Sequence, residues 1–213
     1  MTLKTLVISV LIYFNVQLIF TVPSSIEEWR ESFVEVRAKN KEWVDGIMAV
    51  ADEKKHYELV HQTLVLIVKK MQSQAKVLAE NKFEPGKSDF PQNETVIKSL
   101  TGILDSMAFF VELMMREPLV TSHVVNSKDV LKSVFLWGVR FSNQTGFYDA
   151  ETTKLVEMFA QEYNLMPRDP YYRNPFYNHS HTPRPVPSRT TTKPPTTRRR
   201  RRGPLMAPKR SDL

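Results

Sequence analysis

Catalytic chemistry in this chain would have to come from five histidines and twenty-three carboxylates, because there is no cysteine. His56 and His61 stand five residues apart, which turns them to different faces of a helix. His123 is isolated, and His179 and His181 fall in a proline-rich region. None has a zinc-protease or other metal-ligand spacing, so each reads as a satisfied or solvated side chain. The lack of cysteine removes thiol nucleophiles, disulfide exchange and thiolate metal sites together. Six glycines are too few for a phosphate cradle, and no nucleophile elbow occurs. Glu27, Glu28, Glu31 and Glu35 read as a solvated helix face. The expectation is a protein that is not an enzyme, with no catalytic residue, cofactor or metal.

The residues that do suggest chemistry are substrates for other enzymes. Asn93-Glu94-Thr95, Asn143-Gln144-Thr145 and Asn178-His179-Ser180 fit the N-glycan acceptor pattern. All three are expected in loops or tail, and a glycan at Asn143 requires that residue to face solvent. Arg198, Arg199, Arg200, Arg201 and Arg202 form an uninterrupted basic run. It fits a proprotein-convertase site or a contact with a polyanion such as a sulfated glycan, beside the plainer reading of a solvated basic stretch. Arg210, Ser211, Asp212 and Leu213 resemble a degenerate luminal retrieval signal. Cleavage after Arg202 would remove that signal and turn a retained protein into a secreted one.

These features matter only in the secretory pathway, and the first residues point there. Lys4 is followed by an apolar run over residues 6–20 broken by Ser9, Asn15 and Gln17. That is shorter than the roughly 20 apolar residues of a membrane span, so residues 1–22 are expected to be a cleaved signal peptide. No stable span is expected afterwards, and the expected location is the endoplasmic reticulum lumen and outside the cell.

Charge divides the chain. Residues 167–213 hold ten Arg and two Lys against two Asp, a net +10, which leaves −3 of the chain's +7 for the remainder. The same segment holds ten of the fourteen prolines. With almost no aliphatic residues, it is expected to be a disordered tail, with an aromatic patch of Tyr171, Tyr172, Phe176 and Tyr177 able to dock on the body. Residues 23–166 are expected to form the folded domain.

That domain reads as all-α, a helical bundle of about five or six helices. Ser25 and Glu28 make a capping-box pattern. A three-four spacing then runs through Trp29, Phe33, Val36, Asn40, Trp43, Ile47, Val50, Lys54, Tyr57, His61, Leu64, Val68 and Met71. One helix over residues 26–78 would reach about 80 Å at about 1.5 Å per residue, so a break is expected near residues 51–56. The stripe suits a coiled coil with another chain or, as favoured by the wider face at Val65, Leu66 and Ile67, two helices of one core. Pro85-Gly86 and Phe90-Pro91 mark a loop, and an apolar helix follows from Thr95 toward Arg116. Pro118 opens a short helix to about Val125. Ser127 is expected to cap the next helix, to about Phe141, with Trp137 and Phe141 buried and residues 143–148 forming a turn around Gly146. Asp149 is expected to cap the last helix.

Phe90-Pro91-Gln92, Ala108-Phe109-Phe110, Trp137-Gly138 with Phe141, Asn143-Gln144-Thr145-Gly146, Ala160-Gln161-Glu162 and Asn174-Pro175-Phe176 together resemble the coiled-coil domain-containing protein 134 family, in the same order over residues 29–177. The resemblance implies a non-enzymatic helical protein of the endoplasmic reticulum lumen that is also secreted. It implies a protein partner, a luminal chaperone or the glycosylation machinery, with the heat-shock-90-class chaperone protected from excess glycosylation and turnover. The alternative it implies is a secreted, cytokine-like factor that dampens mitogen-activated kinase signalling. Nucleic acid is not expected as a partner. The Thr/Pro spacer, the five arginines and the Ser-Asp-Leu ending depart from the family's Lys/Glu-rich tails, and Ser142 departs at its own position.

Overall fold

The computed structural model describes residues 22–176, which form six helices and no strand. They are α1 (Ile26–Met48), α2 (Glu53–Glu80), α3 (Glu94–Arg116), α4 (Pro118–Asn126), α5 (Asp129–Thr145) and α6 (Ala150–Glu162). The leader, Tyr177, the sequon at Asn178, the arginine run and the retrieval-like ending lie outside the described residues.

Local chemistry sets most of the boundaries. Ser25 Oγ accepts from the Glu28 N–H at 3.2 Å, Asp52 Oδ1 from Lys55 at 2.9 Å, and Asp149 Oδ1 from Thr152 at 2.6 Å. Each bond satisfies a backbone donor that the first helical turn leaves open. The Glu28 carboxylate reaches back to Ser24, at 2.7 Å from its N–H and 2.8 Å from its hydroxyl, so the capping box closes one residue early. The expected break in the long periodic run falls at residues 49–52, with Asp52 starting α2 afresh. Ser127 does not cap α5. It ends α4, with its hydroxyl donating to the Val124 carbonyl at 2.7 Å, and Lys128 takes the N-cap position without a side-chain bond.

α3 is the centre. From Val96 to Met115 it is polar only along a narrow edge at Lys98, Thr101 and Asp105, and a helix so largely apolar is stable only when mostly surrounded. All five other helices pack against it. Trp29 of α1 meets Asp105, Arg37 meets Glu112 and Asp45 meets Arg116, so α1 and α3 run parallel. Phe159 packs on Phe110 and Tyr163 on Met114, which makes α6 parallel as well. α5 runs the other way, with Phe135 stacked on Phe110 and Gly138 over Met107. Phe33, Phe109 and Phe110 are each at least 98% buried, and burial of side chains this size is worth about 2–3 kcal/mol each.

The long stripe is therefore used within one bundle, against α3, and not left for a second chain. Its phase also differs from the expectation. Val44 takes the buried position beside Trp43, and in the first turns of α2 the buried residues are His56, Leu59, Val60 and Thr63, with Tyr57 and His61 half-buried. The break between α1 and α2 resets the helical phase, which continuous counting cannot anticipate.

Trp137 is the second correction. It is 38% exposed, and its ring rests at 5.0 Å on Phe141, which is buried as expected. The inward position belongs to its neighbour: a Cβ on Gly138 would lie 2.4 Å from Met107 Sδ and 2.6 Å from Met71 Cε. A helix that approaches so closely at Gly138 must turn residue 137 outward. The third correction concerns Asn143, which is helical and not in a turn. α5 runs on to Thr145 and ends at Gly146, whose φ of 63° is the left-handed C-terminal conformation.

Packing continues beyond Met166. The Asn174 side chain is buried and donates to the Met115 carbonyl at 2.9 Å, while its own oxygen accepts from the Phe176 N–H at 2.9 Å. Residues 167–176 thus lie as a strap across α6 and the end of α3.

Candidate functional site

The strap, α1, α3 and α6 enclose a cleft of about 720 Å³. Its floor is a buried ion cluster that no short motif announces. Glu112, with a side chain 1% exposed, lies 2.7 Å from Arg116 Nε and 3.5 Å from Arg37. Arg37 also donates to Thr152 Oγ1 at 2.6 Å, joining α1 to α6. Arg116 extends to Asp45 at 2.6 Å and stacks at 5.3 Å over the Phe176 ring, joining α3 to α1 and to the strap. At the walls Lys41, Lys154 and Arg173 face Glu151, Glu157 and Asp169, and Tyr171 stands 92% exposed at the rim.

Two guanidiniums share one fully buried carboxylate here, and the buried Arg37 Nε–H has no acceptor among the described residues. Guanidinium stays protonated at any physiological pH, so this arrangement holds and orients an acceptor and moves no proton. Its fitting ligand group is a carboxylate or another anion, flanked by an aromatic contact.

A second carboxylate, half-buried with its Oδ1 shut off from solvent, lies on the same helix. The Asp105 carboxyl is pushed up to about 7 by burial, against the opposing influence of Lys70 and of a hydrogen bond from Trp29. Next to it the Tyr148 hydroxyl, raised by its own burial, donates to the Leu104 carbonyl at 2.6 Å. This group ties α1, α2, α3 and the turn after α5, and its surroundings are closed by Trp29, Phe33 and Tyr148, whose rings lie 4.6–6.3 Å apart.

The histidines are dispersed. His56 is buried, with Nδ1 3.0 Å from the Ile47 carbonyl and Nε2 3.9 Å from Glu117. Burial and Lys128 lower the affinity of His61 for a proton, and His123 lies against the Tyr57 ring. Among the described residues no three His, Asp or Glu side chains gather as a metal site. No described helix is long and apolar enough to cross a membrane.

Of the acceptor asparagines, Asn93 is exposed at the start of α3 and caps it, its Oδ1 accepting from Thr95 at 2.9 Å and Val96 at 3.3 Å. Asn143 is exposed in the last turn of α5. The structure brings neither into the cleft. The cleft residues escaped sequence reasoning because Arg37 and Glu112 are far apart in the chain, though a clue exists. Glu112 is the one carboxylate in the apolar run from Met107 to Met115, and a charge in such a place requires a partner.

The family model described as "ERK and JNK pathways, inhibitor" matches residues 22–207. A coiled-coil domain-containing protein 134 of Xenopus tropicalis is 22% identical over 154 residues, covering 72% of this chain and 67% of its own length. The protein of the same name in Mus musculus is 23% identical over 157 residues, covering 73% and 68%. No solved structure matches the chain. The agreement spans all six helices and the strap, and the chain belongs to the coiled-coil domain-containing protein 134 family of ERK and JNK pathway inhibitors.

Proposed function

We propose that this chain is a non-enzymatic regulatory protein that enters the secretory pathway, is released from the cell, and lowers ERK and JNK signalling by binding a protein partner. The observation that supports this most is the cleft floor, in which Arg37 and Arg116 converge on Glu112 beneath an exposed aromatic rim. Its paired guanidiniums suit recognition of an acidic group. The family description supplies the pathway. Arginine and tyrosine are also the residue types that most often carry binding energy at protein interfaces.

The test is addition of the purified, secreted chain to responsive cells with phosphorylated ERK and JNK as readout. The expected result is a fall in both, reduced severalfold in potency by Tyr171→Ala combined with Lys154→Glu, two wall substitutions that leave the floor intact. An unaltered phosphorylation level at saturating protein overturns the signalling reading.

The second reading is action inside the lumen on the heat-shock-90-class chaperone, and the ending Arg210-Ser211-Asp212-Leu213 favours it. Deletion of Ser211 to Leu213 is then expected to empty cells of the protein and to leave the chaperone over-glycosylated and short-lived.

A further inference from the structure

The two sequons among the described residues are alike in sequence pattern and opposite in structure. In the first, Asn93 and Thr95 are both exposed. The asparagine caps α3 through Oδ1, which leaves its Nδ2, the atom that carries a glycan, pointing to no partner in the cap. In the second, Asn143 is exposed but Thr145 is 7% exposed. The Thr145 hydroxyl donates to the Ser142 carbonyl at 2.7 Å and stands 3.4 Å from the Phe147 N–H.

The acceptor pattern demands a hydroxyl two residues after the asparagine, so the transferring enzyme must reach that hydroxyl. In the folded chain it cannot. Three contacts hold the segment shut. The Gly86 turn lies against Gln144, close enough that a Cβ would be 2.8 Å from the Gln144 carbonyl. Phe83 packs on Phe141 and Phe90 on Phe147. Arg30 of α1 donates to the carbonyls of Phe147 at 2.9 Å and Gly146 at 3.4 Å.

We infer that Asn143 is a conditional glycosylation site, open to the transferase only before α5 docks, whereas Asn93 stays readable in the folded chain. The surfaces onto which the Asn143 segment closes, α1 and the connection over residues 81–93, precede it in the chain. They are already made when residues 143–147 are, so docking competes with glycan transfer as soon as the sequon and Phe147 have been added. Occupancy at Asn143 therefore reports how fast the bundle closes, and any change that slows closure increases it. This consequence in cells rests on the luminal reading above; the selectivity itself does not.

The test uses the full chain made in a host without N-glycosylation, purified folded, and incubated with oligosaccharyltransferase and a lipid-linked oligosaccharide. Site occupancy is read by mass spectrometry beside a peptide of residues 140–148. Asn93 is expected to react in the folded chain, and Asn143 to react at least about tenfold more slowly than in the peptide, because its modification requires local opening. Gly138→Leu, which must displace Met107 and Met71, is expected to accelerate Asn143 toward the peptide rate with Asn93 unaltered. Folded chain reacting at Asn143 as fast as the peptide overturns the inference. So does an unaccelerated Asn143 in a Gly138→Leu chain whose thermal midpoint has dropped. Absence of any glycan on the protein from cells would remove the luminal reading and leave the selectivity measured in vitro standing.

Discussion

Asp105 and Glu112 lie seven residues apart on α3, about two turns, and so face the same way. Glu112 is buried and Asp105 half-buried with Oδ1 shut off from water, and their partners differ. Glu112 has two guanidiniums at 2.7 and 3.5 Å, each a fixed charge. Asp105 has the Trp29 N–H and the charge of Lys70, itself made a weaker base by burial, and its affinity for a proton rises to a pKa of about 7. One helix thus carries a carboxylate bracketed by two guanidiniums and another whose affinity for a proton is raised by burial, with Lys70 opposing that rise.

Breaking the Glu112 cluster should have the largest effect. Glu112→Gln leaves two guanidiniums without their shared countercharge, and loss of one partner of a buried pair costs about 3–5 kcal/mol. Urea unfolding followed by circular dichroism is expected to show that loss, and a loss below about 1 kcal/mol would place the cluster on a par with surface pairs.

Asp105→Asn should act in the opposite direction and with a pH signature. A raised folded pKa means that the folded chain holds a proton the unfolded chain has already released above about pH 4. This residue's contribution to stability is therefore fullest below that point and declines as pH rises through about 7. Replacing it with a neutral amide is expected to stabilise the protein by roughly 1–3 kcal/mol at pH 8 and by less at pH 5, with part of the gain offset by the loss of Lys70's countercharge. Paired urea titrations at the two pH values check it.

The smallest effect provides the reference for both. Lys76 and Glu80 form an i,i+4 pair at 3.8 Å with side chains 79% and 61% exposed. Lys76→Ala should alter stability by no more than about 0.5 kcal/mol, measured in the same titration.

The helical architecture was legible because its signals are local. Ser25 and Asp149 cap what they were expected to cap, Pro118 opens α4, and the run from Val96 to Met115 is apolar enough to be largely surrounded. What was not legible depends on distant neighbours. Nothing near Trp137 says that Met71 and Met107 stand where its partner Gly138 must pass. Ser127 has the chemistry of an N-cap, but its hydroxyl is taken by the turn behind it. Asn143 and Thr145 read as a loop by composition, and packing by Gly86, Phe90 and Arg30 holds them in a helix. Arg37 lies one residue from the expected stripe, where sequence alone cannot separate a snorkelling side chain from one that crosses the core to Glu112.

The central position of α3 also governs how the molecule comes apart. Every other helix packs against α3, and α4 and α5 lean on α2 as well, so detaching one uncovers apolar surface that several of the rest share. Partial opening is correspondingly unfavourable except at the strap and the ends of the outer helices. The amide protons of α3 are then shielded by the free energy of the whole fold, and the bundle melts as one cooperative unit.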